Sequence, residues 1–287
     1  MQTLILGCGY IGTAFGLHML DRGSVTGTCR TGDKAEVLLS HGIIPIIFEG
    51  SQHQGQNDQL CAAAARADVV LACVPPGPNG DTAYLALKTI FTEYSPKWIG
   101  YLSTTGVYGD RGGGWAFEDD VLTPASVEAK RRVTAEASWR QLPRPAHIFR
   151  LPGIYGPGRS ALEQVLAGTA RRIDKAEQVF SRAHRDDIVS ALLASSQLPN
   201  PGRVYNICDD YPCPSGDVIV EACRLLNRPP PPLIAFADAK LSEMGRRFYA
   251  ECKRVPNARI KSELAWRPSY PRYYEGLQDC FKYVRTC

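Results

Sequence analysis

Gly7-Cys8-Gly9-Tyr10-Ile11-Gly12 decides how this chain is read. The run follows directly on Thr3-Leu4-Ile5-Leu6, a short apolar segment of the kind that forms a buried parallel strand. It opens directly on a stretch with a helical pattern, Tyr10 to Arg22, which ends at Gly23. In a strand–turn–helix setting each glycine of G-x-G-x-x-G has a physical use. The first permits the tight turn, the second lets the backbone approach a pyrophosphate, and the third lets helix and strand pack closely. The helix N-terminus adds N–H groups and the positive end of its dipole. Gly7, Gly9, Tyr10, Ile11 and Gly12 are therefore the expected cradle of a dinucleotide.

The end of the next strand, Ser24 to Cys29, speaks to which dinucleotide. A unit that binds NAD(H) usually places an acid there for the ribose 2′-hydroxyl. Here the residues are Cys29-Arg30-Thr31, and Asp33 falls beyond the strand. A cation and a hydroxyl suit a 2′-phosphate, which an acid would repel. Arg30 and Thr31 favour NADP(H) over NAD(H); a solvated surface arginine is the bland alternative.

Working outward, strands and helices alternate. Lys34 to Ser40 reads as a helix and Ile43 to Phe48 as a strand whose Pro45 marks an edge or a bulge. Asp68 to Val74 is a strand, Thr82 to Tyr94 a helix and Trp98 to Ser103 a strand. Ser126 to Arg140 is a helix, and His147 to Leu151 a strand. This predicts an α/β fold, a Rossmann-like doubly wound parallel sheet with helices on both faces. After Leu151 glycine and proline cluster, a helix begins at Ala161, and the stretch from Arg203 returns to the strand pattern. The expected organisation is a dinucleotide-binding domain over 1–155, rejoined by 181–210. A smaller, sequence-interleaved substrate lobe takes 156–180 and 211–287. Ligands bind beyond strand C-termini, so Cys73, Val74 and Pro75 should line the cofactor crevice.

Composition narrows the function classes. The chain has 287 residues and a formal net charge of +4. Its basic residues interleave with acidic ones, which argues against a nucleic-acid partner. Acidic small substrates remain compatible. The ten cysteines form no C-x-x-C pair, which argues against a zinc ribbon, and several sit in apolar runs as small buried hydrophobes. With no leader or long apolar stretch in view, the expectation is a cytoplasmic protein with no membrane partner.

Five segments come in a familiar order: GCGYIG at 7–12, STTGVYG at 103–109, RLPGIYGPGRS at 150–160, SRAHRDDI at 181–188 and VYNICDD at 204–210. They resemble the extended short-chain dehydrogenase/reductase superfamily. The chain looks closest to an atypical bacterial branch of NAD-dependent epimerase/dehydratase-like proteins and nucleotide-sugar epimerases. The resemblance covers nearly the whole chain and implies a Ser/Thr, a Tyr and a Lys at the reacting centre. The Tyr is the acid/base, and the Lys lowers its pKa and holds the nicotinamide ribose. The Ser/Thr hydrogen-bonds the reacting oxygen. A phenol titrating near 10 needs such a cation to work at neutral pH. The resemblance places the Ser/Thr on Thr104, with Ser103 and Thr105 as neighbours, and places Glu49 near the adenine. It also implies a homodimer through sheet-flanking helices.

The Tyr-x-x-x-Lys pair is where the chain departs. Anchored on Thr123-Pro124 and Glu136, the alignment puts Glu128 at the Tyr position and Arg132 at the Lys position, and no tyrosine lies between Gly109 and Leu151. Thr105 and Gly106 stand where sugar-nucleotide dehydratases carry an acid pair. Pro152-Gly153 stands where the epimerases often have an Asn. Two readings of Glu128 and Arg132 stand side by side. They share a helix face and rebuild the site, with Tyr108 or Tyr155 supplying a phenol, or they are a surface i,i+4 pair. The catalytic candidates are thus Thr104, Glu128, Arg132 and Tyr108. His184, Asp186 and Asp187 resemble a metal cluster, but an Asp cap and a packed His fit better, so no metal is expected. Arg159, Arg182 and Arg254 suit a substrate phosphate or carboxylate, with surface or structural pairing the default for each.

The expected function is an NAD(P)-dependent epimerase/dehydratase-like oxidoreductase acting on a small polar substrate such as a nucleotide-sugar. A reductase of an imine or another non-sugar electrophile belongs to the same class. The alternative is a non-catalytic NADP(H)-binding sensor, which the missing pair favours.

Overall fold

A computed structural model describes residues 1–50 and 57–284; Cys287 lies outside the described residues. The first half alternates as the periodicity predicts. β1 (Gln2–Leu6) leads into α1 (Tyr10–Leu20), β2 (Ser24–Cys29) into α2 (Gly32–Ser40), and β3 (Ile44–Ile47) into α3 (Asp58–Arg66). β4 (Val69–Ala72) leads into α4 (Thr82–Glu93). β5 (Trp98–Thr104) passes through a 3-10 turn, Thr105–Tyr108, before α5 (Val127–Arg140) and β6 (His147–Leu151). Then come β7 (Gly153–Tyr155), α6 (Ala161–Leu166), β8 (Arg172–Asp174), β9 (Arg182–His184), α7 (Arg185–Gln197) and β10 (Val204–Asn206). The chain closes with α8 (Ser215–Leu225), β11 (Leu233–Ala235), α9 (Glu243–Tyr249), α10 (Ala258–Glu263) and α11 (Tyr273–Val284).

Seven strands form one sheet in the order β10-β6-β5-β4-β1-β2-β3. β1 pairs in parallel with β2 and β4, β2 with β3, and β4 with β5. The predicted doubly wound α/β architecture is the one observed. Strand order turns between β1 and β4, which opens a crevice beyond their C-termini. Pro45 sits on β3, the edge strand, opposite Gly27 of β2, so its missing N–H faces away from a ladder. α3 had no counterpart in the periodicity. Its alanines carry little pattern, and the helix is fixed by Asn57, whose side chain accepts the Leu60 N–H at 3.0 Å.

The chain divides into two compact units. The first comprises Met1–Val107, Pro124–Arg150 and Val189–Tyr205. Leu4, Leu6, Val70, Ala72 and Ile99 pack one sheet face against Leu87, Phe91 and Trp139. Each fully buried Leu, Val, Ile or Phe of this set contributes about 1.5–3 kcal/mol by leaving water. The second unit comprises Tyr108–Thr123, Leu151–Ile188 and the chain from Asn206 onward. There α6, α8 and α11 bury Leu162, Val165, Ile219, Ala222 and Leu277. Two short parallel sheets, β7 with β9 and β8 with β11, complete it. Among the described residues no helix is long and apolar enough to cross a membrane.

Candidate functional site

The crevice beyond β1, β2 and β4 holds a cavity of about 540 Å³ lined by Gly7, Gly9, Arg30, Glu49, Val74 and Pro75, among others. The glycine turn is built as its spacing requires. Gly7 has φ +91°, and an added Cβ would lie 3.0 Å from Val74 Cγ2. Its N–H donates to Thr28 Oγ1 at 2.7 Å, and the Cys8 N–H donates to the Thr28 carbonyl at 2.8 Å. The turn is thus clamped onto β2 by a residue that the glycine motif does not include. At Gly12 an added Cβ would meet the Gly7 carbonyl at 2.7 Å, so α1 rests directly on the turn. At Gly9 an added Cβ would meet nothing within 4 Å. That open space sits at the N-cap of α1, where no side chain caps the helix and no acid occupies its first turn. The first N–H groups of a helix have no intrahelical acceptor. The cradle fits a pyrophosphate in shape and in donors.

Arg30 is exposed and Lys34 half-buried, and both line the cavity with Phe48 and Glu49. Lys34 went unread in the sequence. It lies four residues after Arg30 in the first turn of α2, which is the signal that would have found it. Thr31 caps α2 instead of lining the cavity, its hydroxyl accepting the Lys34 N–H at 3.4 Å. Tyr10, Ile11 and Gly12 also lie off the cavity wall. Ile11 and Gly12 are buried in the packing of α1. Cys73 lines the crevice as expected. Burial pushes its thiol up, and pushes that of Cys8 up to about 12, so both stay protonated. The nine described cysteines are unpaired.

Thr104 ends β5, and its Oγ1 accepts the Gly106 N–H at 3.1 Å. Its own proton is left to donate. Glu128 lies exposed in the first turn of α5. Arg132, one turn on, is half-buried and turned onto β5. Its Nη1 donates to the Leu102 carbonyl at 2.7 Å and to the Tyr101 hydroxyl at 3.0 Å. Arg132 is thus engaged with β5. Beneath them Glu136 is buried, taking a bidentate contact from Arg150 (Nη2–Oε2 2.8 Å, Nε–Oε1 3.1 Å) and the Ser103 hydroxyl at 2.5 Å. Ser103 is therefore committed to this network. Tyr108 belongs to the second unit, fully buried, its hydroxyl donating to Asn206 Oδ1 at 2.7 Å. Tyr155 is buried in the same unit with its hydroxyl against Gly276, and burial pushes its phenol up.

The second unit has a cavity of its own, about 620 Å³, with Arg159 and Arg182 on its wall. Arg254 lines a separate one and gives Nη1 to the Gly113 carbonyl. His184 is fully buried beside Asp186 and Asp279, and its Nδ1 accepts the Asp186 N–H at 3.3 Å. Burial drives the imidazole down to about 4, which keeps it neutral. Asp187 accepts the Ser269 and Tyr270 N–H groups at 2.6 and 3.1 Å, a loop-anchoring role.

No family model matches the chain. A conserved protein of unknown function from Silicibacter pomeroyi DSS is 40% identical, with 97% of each chain covered and a TM-score of 0.89. The chain belongs to that protein's family. The family's fold is that of the extended short-chain dehydrogenase/reductases. A UDP-glucose 4-epimerase from Thermotoga maritima matches with a TM-score of 0.81 at 17% identity, covering 100% of this chain and 99% of its own. A dTDP-glucose 4,6-dehydratase from Bacillus anthracis str. Ames, in complex with NAD, matches at 0.77 and 18% identity, covering 100% and 97%. A curated relative, a 3-diazoavenalumate denitrifying reductase from a Streptomyces species, is 27% identical over 172 residues. That match spans 57% of this chain and about half, 53%, of the reductase. The fold that the five motifs imply is borne out.

Proposed function

We propose that the chain is an NADP(H)-dependent reductase acting on a small polar, electron-poor substrate. The observation that carries the reading is the crevice, whose wall joins Gly9, open at the α1 N-terminus, with the cations Arg30 and Lys34. A guanidinium and an ammonium together suit a 2′-phosphate better than a ribose hydroxyl. Neighbours of this fold solved with NAD support a nicotinamide dinucleotide here. NADPH bound in the crevice would supply a hydride.

The side chains favour reduction over epimerisation. An epimerase must take a hydroxyl proton from its substrate and return it, which asks for a tuned acid/base. α5 carries no tyrosine, Glu128 is exposed, and Tyr108 spends its hydroxyl on Asn206. Reducing an electron-poor C=N centre asks for a hydride from the dinucleotide, a proton that water can deliver to the nitrogen, and one hydrogen bond to the substrate, which Thr104 can donate. The curated reductase relative supports the same reaction class. A second reading, a dinucleotide sensor without turnover, is favoured by the engagement of Arg132 with Tyr101 and Leu102.

Nicotinamide fluorescence during titration with NADPH and NADH tests the cofactor, and Gly9→Ala tests the site. Gly9 has φ −83° and empty space around an added Cβ, so the variant should fold normally. It should bind NADPH at least tenfold more weakly, about 1.4 kcal/mol. Tighter binding of NADH would overturn the cofactor preference. Interconversion of nucleotide-sugars with no reduction of activated imines would overturn the reductase. Binding without turnover of either class would establish the sensor.

A further inference from the structure

We propose that the cavity of the second unit is a binding site for a small aromatic carboxylate, its ring against Phe180, Phe248 and Tyr249 and its carboxylate on Arg182. The site stands without the preceding reading. Only the occupant's role as the reductase's substrate rests on it.

Three rings make one corner of the wall. Phe180 and Phe248 stack at 4.3 Å with planes 9° apart, and Tyr249 meets Phe180 edge-on at 5.3 Å and 88°. The Tyr249 hydroxyl is fixed 2.6 Å from Ser215 Oγ, so the corner is set before a ligand arrives. Phe248 is 52% exposed at its rim, an apolar surface that a planar ring would cover.

Charge on the wall points to a single anionic group. Among the described residues the carboxylate on this wall is Glu163, which already accepts from the Ser160 N–H at 2.7 Å, the Ser160 hydroxyl at 2.6 Å and the Gly158 N–H at 3.0 Å. Arg182 is half-buried, and among the described residues its hydrogen bonds leave through Nη1, to the Phe180 and Cys213 carbonyls and Cys213 Sγ. Nε and Nη2 form the edge that grips a carboxylate side-on. Asp209, the acid whose titration Arg182 opposes, is pushed up to about 8 by burial and is largely protonated at neutral pH, so it leaves the guanidinium charge uncompensated. Arg159 and Arg171 also line the cavity but are exposed, and Arg171 gives Nη1 to the Lys240 carbonyl at 2.9 Å. One half-buried fork beside an aromatic corner matches one carboxylate on one ring. A diphosphate would have to draw on the two arginines that stand in water.

The test is calorimetric titration of the full chain with 4-hydroxycinnamate, its uncharged amide and UDP, with NADPH binding measured on the same samples. Cinnamate should bind, and the amide at least tenfold more weakly. Phe248→Ala and Arg182→Gln should each weaken cinnamate at least tenfold while leaving NADPH binding unchanged. Phe248 is exposed, so that variant tests the site even if the arginine variant misfolds. Equal binding of cinnamate and its amide, tighter binding of UDP than of cinnamate, or no effect of Phe248→Ala would each overturn the proposal. Failure of cinnamate with NADPH binding intact overturns this site alone. Failure of the wild type to bind NADPH overturns the preceding reading alone.

Discussion

Arg132 holds the hydroxyl of Tyr101 at 3.0 Å while its guanidinium lies 5.5 Å from the centroid of the same ring. One cation thus ties the start of α5 to the buried face of β5, and its second bond reaches the Leu102 carbonyl. Replacing Arg132 with Met leaves a buried phenol without its partner, at a cost of about 1–3 kcal/mol. Tyr101→Phe removes the same bond but strands nothing as large, and should cost about 0.5–1.5 kcal/mol. Urea unfolding of both variants checks the order. If Arg132 also faces the cofactor, Arg132→Met should raise KM for NADPH and Tyr101→Phe should not.

The Glu136–Arg150 pair predicts a larger effect. Both side chains are almost fully buried, at 4% and 3% exposure. Arg150→Met strands a buried carboxylate and should destabilise by about 3–5 kcal/mol. Adding Glu136→Leu should restore part of that loss, because the stranded charge goes too. Chemical denaturation of the two singles and the double closes the cycle, and simple additivity would contradict the pairing.

His147 sets a pH dependence. It is fully buried between Trp98 and Phe149, with Nδ1 donating to the Ile99 carbonyl at 3.0 Å and Nε2 accepting the Asn200 N–H at 2.7 Å. Burial lowers it to about 4, below its ordinary value of 6.5. Between those values the unfolded chain binds a proton that the native chain does not, so stability falls as pH drops through the window. The full effect is about 3 kcal/mol. His184 adds in the same direction. Asp209, raised to about 8, acts oppositely and weakens the fold as pH rises from about 4 to 8. Thermal melts should show a shallower acid limb in His147→Gln and a shallower alkaline limb in Asp209→Asn.

Cofactor choice tests Arg30 and Lys34 separately. Arg30→Asp should weaken NADPH by about 10–100-fold, the loss of a charge-assisted contact, with NADH unchanged or improved. Lys34→Gln should cost NADPH less and NADH nothing. Arg30 is exposed and bonds to no other side chain or carbonyl among the described residues, so melting temperature should hold in Arg30→Asp. Equal losses for both dinucleotides would place the cations elsewhere than at a 2′-phosphate.

The sequence by itself determined the glycine turn, the alternation of strands and helices, and that Pro45 marks an edge or a bulge. These depend on short-range rules: which φ a glycine permits, which period buries an apolar face, which residue lacks an N–H. They need no knowledge of what lies across the molecule. Tertiary structure decided the rest. Thr28 clamps the Gly7 turn from 21 residues away, and Asn206 takes the Tyr108 hydroxyl from 98 residues away. Phe180 meets Phe248 only because the second unit folds α9 against the segment before β9. Arg132 stood at an expected position, yet its hydrogen bond to Tyr101 was invisible, since a strand's register against a helix is fixed by packing over the whole sheet. The first dozen residues thus determined the candidate ligand cradle. Which side chains remain available to do chemistry beside it was set by contacts between distant parts of the chain.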